Sequence, residues 1–293
     1  MFDRRRHLPS VAVVVLTMGN RPTRLQAAVQ SAIAQRGVDL ELIVVANGVA
    51  AEDIAIGDDR VSVIASTTNL GIPGGRNYGL EQTTAPVVAF LDDDARFLDD
   101  TVLVRASELF SRRPALAAVA LHIVDECGAT ARRHIPRVGT RRPGRSGAVT
   151  AFLGGAVVMR RSAFIEAGGY GAAYVYSMEE TDLALRLIDR NWQIYYNASP
   201  AVFHPVTSPG RHPDAVARTM RNRVWLAHRM LPAPVAILYV VDWLAISIVR
   251  NRRDAPVLVR ALRNGWRTRP GPRRPIGWRT VARLTRLGRP PVV

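Results

Sequence analysis

The sequence predicts an α/β fold, a largely parallel sheet flanked by helices, and two observations carry that reading. Near-continuous apolar runs alternate with segments of helical periodicity through residues 1–205. Such runs suit strands buried on both faces. The fourth run, Val87-Val88-Ala89-Phe90-Leu91, ends directly in Asp92-Asp93-Asp94, at the carboxyl end of a strand, where α/β folds form ligand crevices.

The elements follow in order. Val11–Thr17 is the first strand. Arg4-Arg5-Arg6 before it imitates a secretory leader, but the apolar part is short, no small-residue cleavage site follows, and Asn20-Arg21-Pro22 ends it. Leu25, Ala28, Val29, Ala32 and Ile33 recur at helical spacing, with Pro22 near the helix start. Leu40–Ala46 and Val61–Ala65 are the second and third strands, and a helix from about Gly75 to Gln82 leads into the fourth, Val87–Leu91. This is a doubly wound pattern. Leu103–Arg112 then reads as helix and Leu116–Ile123 as strand, while the Arg- and Gly-rich stretch Ala129–Gly147 reads as a mobile loop. Ser162–Ala167 is a short helix closed by Gly168-Gly169. Glu179–Asn191 is a helix with Leu183, Leu187 and Ile188 on one face, and Trp192–Tyr196 and Ala201–His204 are two final strands.

Composition bounds this fold. At 293 residues and 48% hydrophobic content, the chain can build a sizeable core. Its single cysteine, Cys127, excludes an intramolecular disulfide framework and a multi-cysteine zinc site, and fits a reducing compartment. The net charge is +16, and all 40 basic residues are arginine. Guanidinium suits phosphate and anionic headgroups. From Arg250 to Val293, thirteen arginines face one acid, Asp254. Just before them lies the most apolar run, Leu231 to Val249, long enough to span a bilayer but with Asp242 in its middle and Pro232 and Pro234 at its start. It reads as an interfacial or re-entrant helix with a polybasic follower; the competing reading is a core-packing helix with a solvated tail. The chain thus divides into an α/β domain over 1–210 and a basic, helical, membrane-associating extension over 211–293.

Three adjacent carboxylates repel one another, and a cation is the usual way to hold them together. A solvated turn capping the next helix is the other reading of Asp92-Asp93-Asp94. After the first strand stands Met18-Gly19-Asn20-Arg21-Pro22, so the dinucleotide fingerprint is absent, and no P-loop exists. The glycine-rich segment is instead Asn69-Leu70-Gly71-Ile72-Pro73-Gly74-Gly75-Arg76-Asn77-Tyr78-Gly79-Leu80. Its glycines permit close backbone approach, and Arg76 in the first helical turn can reach a diphosphate. Glu179-Glu180-Thr181-Asp182 opens a helix, either for macrodipole reasons or to supply a base for an attacking sugar hydroxyl. His204, before Pro205, is either structural or a nitrogen ligand to an Asp-held divalent ion.

The order of these features resembles the family 2 glycosyltransferases of GT-A fold, notably the bacterial rhamnosyl- and galactofuranosyltransferase-like branch. The resemblance runs through the apolar first strand, the Asn-x-Gly-x-x-Gly-Gly-Arg-Asn-x-Gly segment, Asp92-Asp93-Asp94, Gly154-Gly155, Phe164 with Gly168-Gly169-Tyr170, the acidic helix start at Glu179 and the strand ending in His204, roughly residues 10–205. It implies a Rossmann-like mixed sheet that binds a nucleotide-diphospho-sugar donor, with Mn²⁺ or Mg²⁺ as cofactor. Asp92 to Asp94 match the family's DxD element, with Asp94 and Asp92 as metal ligands, Asp92 also nearer the ribose and Asp93 beside them on the donor. Thr17, Arg21 and Asn47 would line the nucleoside pocket, Arg76 and Asn77 would face the nucleotide-sugar, and Gly154 and Gly155 would border the acceptor. Glu180 would be the base, with Glu179 and Asp182 in support, and His204 matches a metal-binding histidine of some members. The family often has Asp-Asn-Gly after the second strand, where this chain has Ala46-Asn47-Gly48, and Glu180 stands where Asp is usual.

The implied reaction is inverting transfer to a saccharide or lipid-linked acceptor at the inner face of the plasma membrane, in cell-envelope synthesis. Two other classes carry part of the sequence. Net charge alone suits a nucleic-acid-binding protein, but no helix-turn-helix, zinc finger or RNA-binding aromatic signature is present, and nucleic acid is not an expected partner. A sugar nucleotidyltransferase would share the sheet and carboxylates but would carry a Gly-rich basic signature directly after the first strand.

Overall fold

Side chains of the first strand, β1 (Ser10–Thr17), alternate between two separate cores: Val11, Val13 and Val15 enter one, Ala12 and Val14 the other. A strand apolar on both faces needs helices above and below it. The computed structural model, which describes residues 8–136, 143–206, 214–250 and 252–292, has that arrangement.

After β1 come α1 (Pro22–Ile33), β2 (Asp39–Asn47), β3 (Val61–Ser66), α2 (Gly71–Glu81) and β4 (Val87–Asp92). Then follow β5 (Arg96–Phe97), α3 (Val102–Arg112), β6 (Leu116–Val124), β7 (Gly147–Val149), β8 (Ala156–Arg160), α4 (Arg161–Glu166), α5 (Glu179–Asp189) and β9 (Gln193–Phe203). Four helices close the chain: α6 (Ala215–Met230), α7 (Ala233–Arg250), α8 (Ala255–Arg267) and α9 (Trp278–Arg286). The strands form one mixed sheet in the order β3-β2-β1-β4-β8-β6-β9-β5, with β7 on β9. β1 to β4 run parallel, and β8 enters antiparallel to both β4 and β6. Helices α1 and α3 cover one face; α2, α4, α5 and the four C-terminal helices share the core on the other.

The expected α/β sheet and its first four strands match the structure, and several details differ. The two final strands are one strand, β9, because the polar stretch Asn197-Ala198-Ser199 is absorbed as a register irregularity against β6. Helix α2 begins at Gly71, so Arg76 lies in its second turn, on the inward side. Its glycines seat it on the sheet: a Cβ at Gly75 would lie 2.3 Å from Leu16, and one at Gly79 2.4 Å from Val14. The basic C-terminal stretch is folded rather than a solvated tail, and Leu258, Ala261 and Leu284 join Leu183 and Leu187 in one core. α7 buries Val235, Ala236, Tyr239 and Val240 against that core and turns Ile237, Leu238 and Val241 outward. Of Ala129–Gly147, residues 137–142 lie outside the described residues, as do Arg4-Arg5-Arg6 and the expected boundary at 210/211.

Candidate active site

β4 runs beside β1 with Asp92 opposite Leu16, so the acidic triplet emerges next to the turn that follows Thr17. Thr17 Oγ1 donates to Asp93 Oδ2 at 2.8 Å, and Arg21 Nη1 donates to Asp93 Oδ1 at 2.8 Å and to Asp94 Oδ2 at 2.7 Å. One guanidinium thus relieves the repulsion of two neighbouring carboxylates. Burial raises the pKa of Asp93 above the usual carboxylate range, opposed by the Thr17 hydroxyl and by Arg21.

His204, just past β9, reaches the same point from across the sheet. Its Nε2 stands 3.4 Å from Asp94 Oδ1 and 3.8 Å from Asp92 Oδ2. Its Nδ1 is 2.8 Å from the Pro205 carbonyl, which can only accept. In the neutral ring Nδ1 therefore carries the proton and Nε2 keeps its lone pair. One ligand atom from each of Asp92, Asp94 and His204 lies within 4.8 Å of the others. Two carboxylate oxygens and one imidazole nitrogen form a donor set that fits Mn²⁺ or a similar divalent ion.

The other Asp92 oxygen faces away from this trio. Arg76, 3% exposed, donates from Nη2 to Asp92 Oδ1 at 2.8 Å, and its Nη1 stands 3.8 Å from Glu180 Oε1. Glu180 Oε1 also accepts from the Gly154 amide at 2.8 Å. The two glycines make this packing possible. A Cβ at Gly154 would lie 1.9 Å from Arg76 Nη1, and one at Gly155 2.0 Å from Asp92 Oδ2. Glu179 is 2% exposed, and its Oε2 has no hydrogen-bond partner. Burial and then the Glu180 charge push its pKa up to about 8. Burial also raises the pKa of Glu180, opposed by Arg76 and the Gly154 amide. Burial works against the Arg76 charge, but Asp92, Glu180 and Glu179 hold the guanidinium protonated.

Helix α5, which carries both glutamates, starts from a left-handed run: Val175, Ser177 and Met178 have φ of 62°, 69° and 76°. Such conformations persist only where the surroundings enforce them. Asn222 of α6, fully buried, supplies that hold: Nδ2 lies 3.1 Å from the Tyr174 carbonyl, 2.8 Å from Tyr176 and 2.9 Å from Ser177. Asn222 was not among the residues expected from the sequence. Its signal was a polar residue in line with the apolar positions Trp225 and Leu226, three and four residues further along the helix, where asparagine needs a reason to be.

Not all the expected residues meet at this point. Thr17, Arg21, Asn47, Asp92, Asp93, Asp94 and His204 line a crevice of about 990 Å³. Asn47 ties β2 to α2 there, accepting from the Leu70 amide at 2.8 Å. Glu180 is joined to the crevice through Arg76 and Asp92. Asn77 turns away, exchanging hydrogen bonds with the backbone of Tyr170. Asp182 is fully buried, accepts from Arg186 Nε at 2.8 Å and lies 3.3 Å from the Tyr174 hydroxyl.

The mixed sheet, with acids at the end of β4 and helices on both faces, is the fold of the GT-A glycosyltransferases. The chain belongs to Glycosyl transferase family 2, whose sequence model matches residues 13–168. It is 37% identical over 91 residues to the succinoglycan biosynthesis protein ExoO of Rhizobium meliloti, a match covering 30% of this chain and 26% of that protein. It is 27% identical over 216 residues to the glucosyl-dolichyl phosphate glucuronosyltransferase of Haloferax volcanii, covering 66% of this chain and 68% of that one. Its fold resembles that of GalNAc-T7 with UDP, GalNAc and Mn²⁺ (TM-score 0.62, 15% identity, 80% of this chain and 50% of that one). It also resembles S. aureus TarS 1-349 in complex with UDP (TM-score 0.59, 15% identity, 87% and 80%).

Proposed function

We propose that the protein is a metal-dependent inverting glycosyltransferase that moves a sugar from a nucleoside diphosphate to a saccharide or lipid-linked acceptor in cell-envelope polysaccharide or glycolipid synthesis. One observation carries the reading: Asp92 offers one oxygen to the side of Asp94 and His204 and the other to Arg76, whose second terminal nitrogen stands 3.8 Å from Glu180. A donor-binding element and a candidate base are thereby joined through one carboxylate and its guanidinium.

Asp92, Asp94 and His204 would hold the divalent ion, which when bound neutralises charge on the leaving diphosphate. Glu180 takes the proton of the acceptor hydroxyl as that oxygen attacks the sugar C1 from the face opposite the leaving group. Its raised pKa makes it a stronger base than an ordinary carboxylate, while Arg76 and the Gly154 amide favour its anion. Glu179 keeps the proton that the two crowded carboxyls retain near neutrality. Thr17 and Arg21 fix Asp93 and Asp94, and Asp182 braces α5 through Arg186.

Two relatives support the donor and acceptor classes: TarS was solved with UDP, and the Haloferax protein is named for a dolichyl-phosphate-linked sugar. The proposal keeps the rhamnosyl- and galactofuranosyltransferase-like branch that the motif order resembles. A peripheral place at the inner membrane face is supported by α7, whose Ile237, Leu238 and Val241 are exposed and which leads into the arginine-rich stretch from Arg250. Because Tyr239, Leu258 and Leu284 belong to the core, substituting those three exposed residues by Asp tests this more cleanly than truncation. The variant is expected to lose sedimentation with anionic liposomes.

The reaction is tested with Glu180→Gln. Nucleotide binding should persist while glycosyl transfer falls by about a hundredfold or more, the scale of a general base. Unchanged transfer would remove Glu180 from the chemistry.

A further inference from the structure

Buried arginines in this protein are usually matched: Arg76 by Asp92, Arg186 by Asp182. Arg223 of α6 and Arg289, just after α9, are half-buried and matched differently. Among the described residues no carboxylate forms an ion pair with either. Arg223 Nη1 donates to the Tyr239 hydroxyl at 2.8 Å, and its guanidinium lies 3.4 Å from the centre of the Trp243 ring. Arg289 joins Arg223, Tyr239, Trp243 and Thr181 around a cavity of about 120 Å³. That volume exceeds the roughly 30 Å³ share of a single water, enough for a phosphate group. Burial weakens the hold of Arg289 on its proton, and the nearby Arg223 adds like charge. Two such guanidinium groups make a site that an anion would complete.

The position of the cavity says which anion. Arg223 and Trp243 also line the large crevice that begins at Asp92, Asp94 and His204. The same helix that turns Tyr239 and Trp243 inward exposes Ile237 at 62% and Val241 at 58% on its outer side. A cationic pocket therefore lies between the reaction crevice and an apolar outer surface. An amphiphile with a phosphate between its sugar and its chain matches that order of surfaces.

We propose that Arg223 and Arg289 bind the phosphate of a lipid-linked acceptor, whose chain lies along α7 and whose sugar extends into the crevice. The assignment of this ligand as acceptor rests on the glycosyltransferase reading above.

The test titrates the full-length protein with phosphatidylcholine nanodiscs carrying a polyprenyl phosphate, and with discs carrying phosphatidylglycerol at equal charge. Wild type is expected to prefer the polyprenyl phosphate by about tenfold. Arg223→Gln/Arg289→Gln should lose the preference, and Arg260→Gln/Arg263→Gln on the exposed face of α8 should keep it. Equal binding to both discs, or a preference retained by the first variant, overturns the proposal. A measurement on wild type alone is independent of variant folding. Farnesyl phosphate should raise the melting temperature, whereas farnesol and inorganic phosphate at the same concentration should not; no rise, or an equal rise with inorganic phosphate, also overturns it. UDP, dTDP and GDP with Mn²⁺ are titrated in parallel. Nucleotide binding without a lipid-phosphate preference overturns this proposal alone, and binding of neither overturns the glycosyltransferase reading with it.

Discussion

Arg76 and Asp92 form an ion pair of 2.8 Å between a nearly buried guanidinium and a carboxylate that is 37% exposed to the crevice. The guanidinium is the cation between Asp92 and Glu180, so it fixes the distance between the donor side and the candidate base.

Removing it should be costly. Arg76→Met leaves the charges of Asp92 and Glu180 uncompensated beside the buried Glu179 carboxyl. The expected loss is about 3 kcal/mol in urea denaturation, the scale of a buried pair deprived of one partner. Transfer activity should be lost as well. Stability within about 0.5 kcal/mol of wild type, the range of ordinary surface changes, would contradict this role.

Glu179 gives stability a pH dependence of known sign. Its folded-state pKa, about 8, lies above the ordinary 4.5. Between those values the folded state binds more protons than the unfolded one, so stability falls as pH rises. The contribution is fully present below 4.5 and is lost as pH rises through about 8. Glu179→Gln should flatten the decline between pH 5 and 8, and denaturation midpoints across that window read it directly. An unaltered slope would mean that Glu179 is ionised in the folded protein.

Gly155→Ala tests the packing behind Asp92. The added Cβ would sit 2.0 Å from Asp92 Oδ2, so the carboxylate must swing out of place. Mn²⁺-dependent nucleotide binding should weaken by about tenfold or more, as for other groups that orient metal ligands. Wild-type binding would show that Asp92 is free to move without consequence.

The sheet was legible because its strands are buried on both faces and are written as uninterrupted apolar runs, Val11–Thr17 and Val87–Leu91 above all. The metal-ligand trio was legible in part, because Asp92 and Asp94 stand two residues apart in the sequence and His204 directly follows an apolar strand. Local patterns could not show that Gly154 and Gly155 press on Arg76 and Asp92, since that contact depends on β8 packing antiparallel to β4. Nor could they show that the arginine-rich end is folded. In α8 and α9 Leu258, Ala261 and Leu284 face the core, and six arginines mask a narrow apolar stripe.

Asn222 lies outside the family match yet supports the start of α5. Asn222→Ala removes hydrogen bonds from three carbonyls, that of Tyr174 buried and those of Tyr176 and Ser177 partly so, and should cost about 2 kcal/mol in unfolding experiments. Faster amide exchange at residues 175–180 should accompany it, while residues of β1 stay protected. Unchanged exchange in that segment would show that the left-handed run is held by other contacts.

A thermal-shift panel of UDP, dTDP and GDP, each with and without Mn²⁺, on wild type and Asp94→Ala reads the donor site itself. Ligand bound to the native state raises its melting temperature. The expected result is a Mn²⁺-dependent rise for one nucleotide that disappears in the variant. No rise with any nucleotide, or a rise that Asp94→Ala leaves intact, would contradict a metal-assisted donor site at the end of β4.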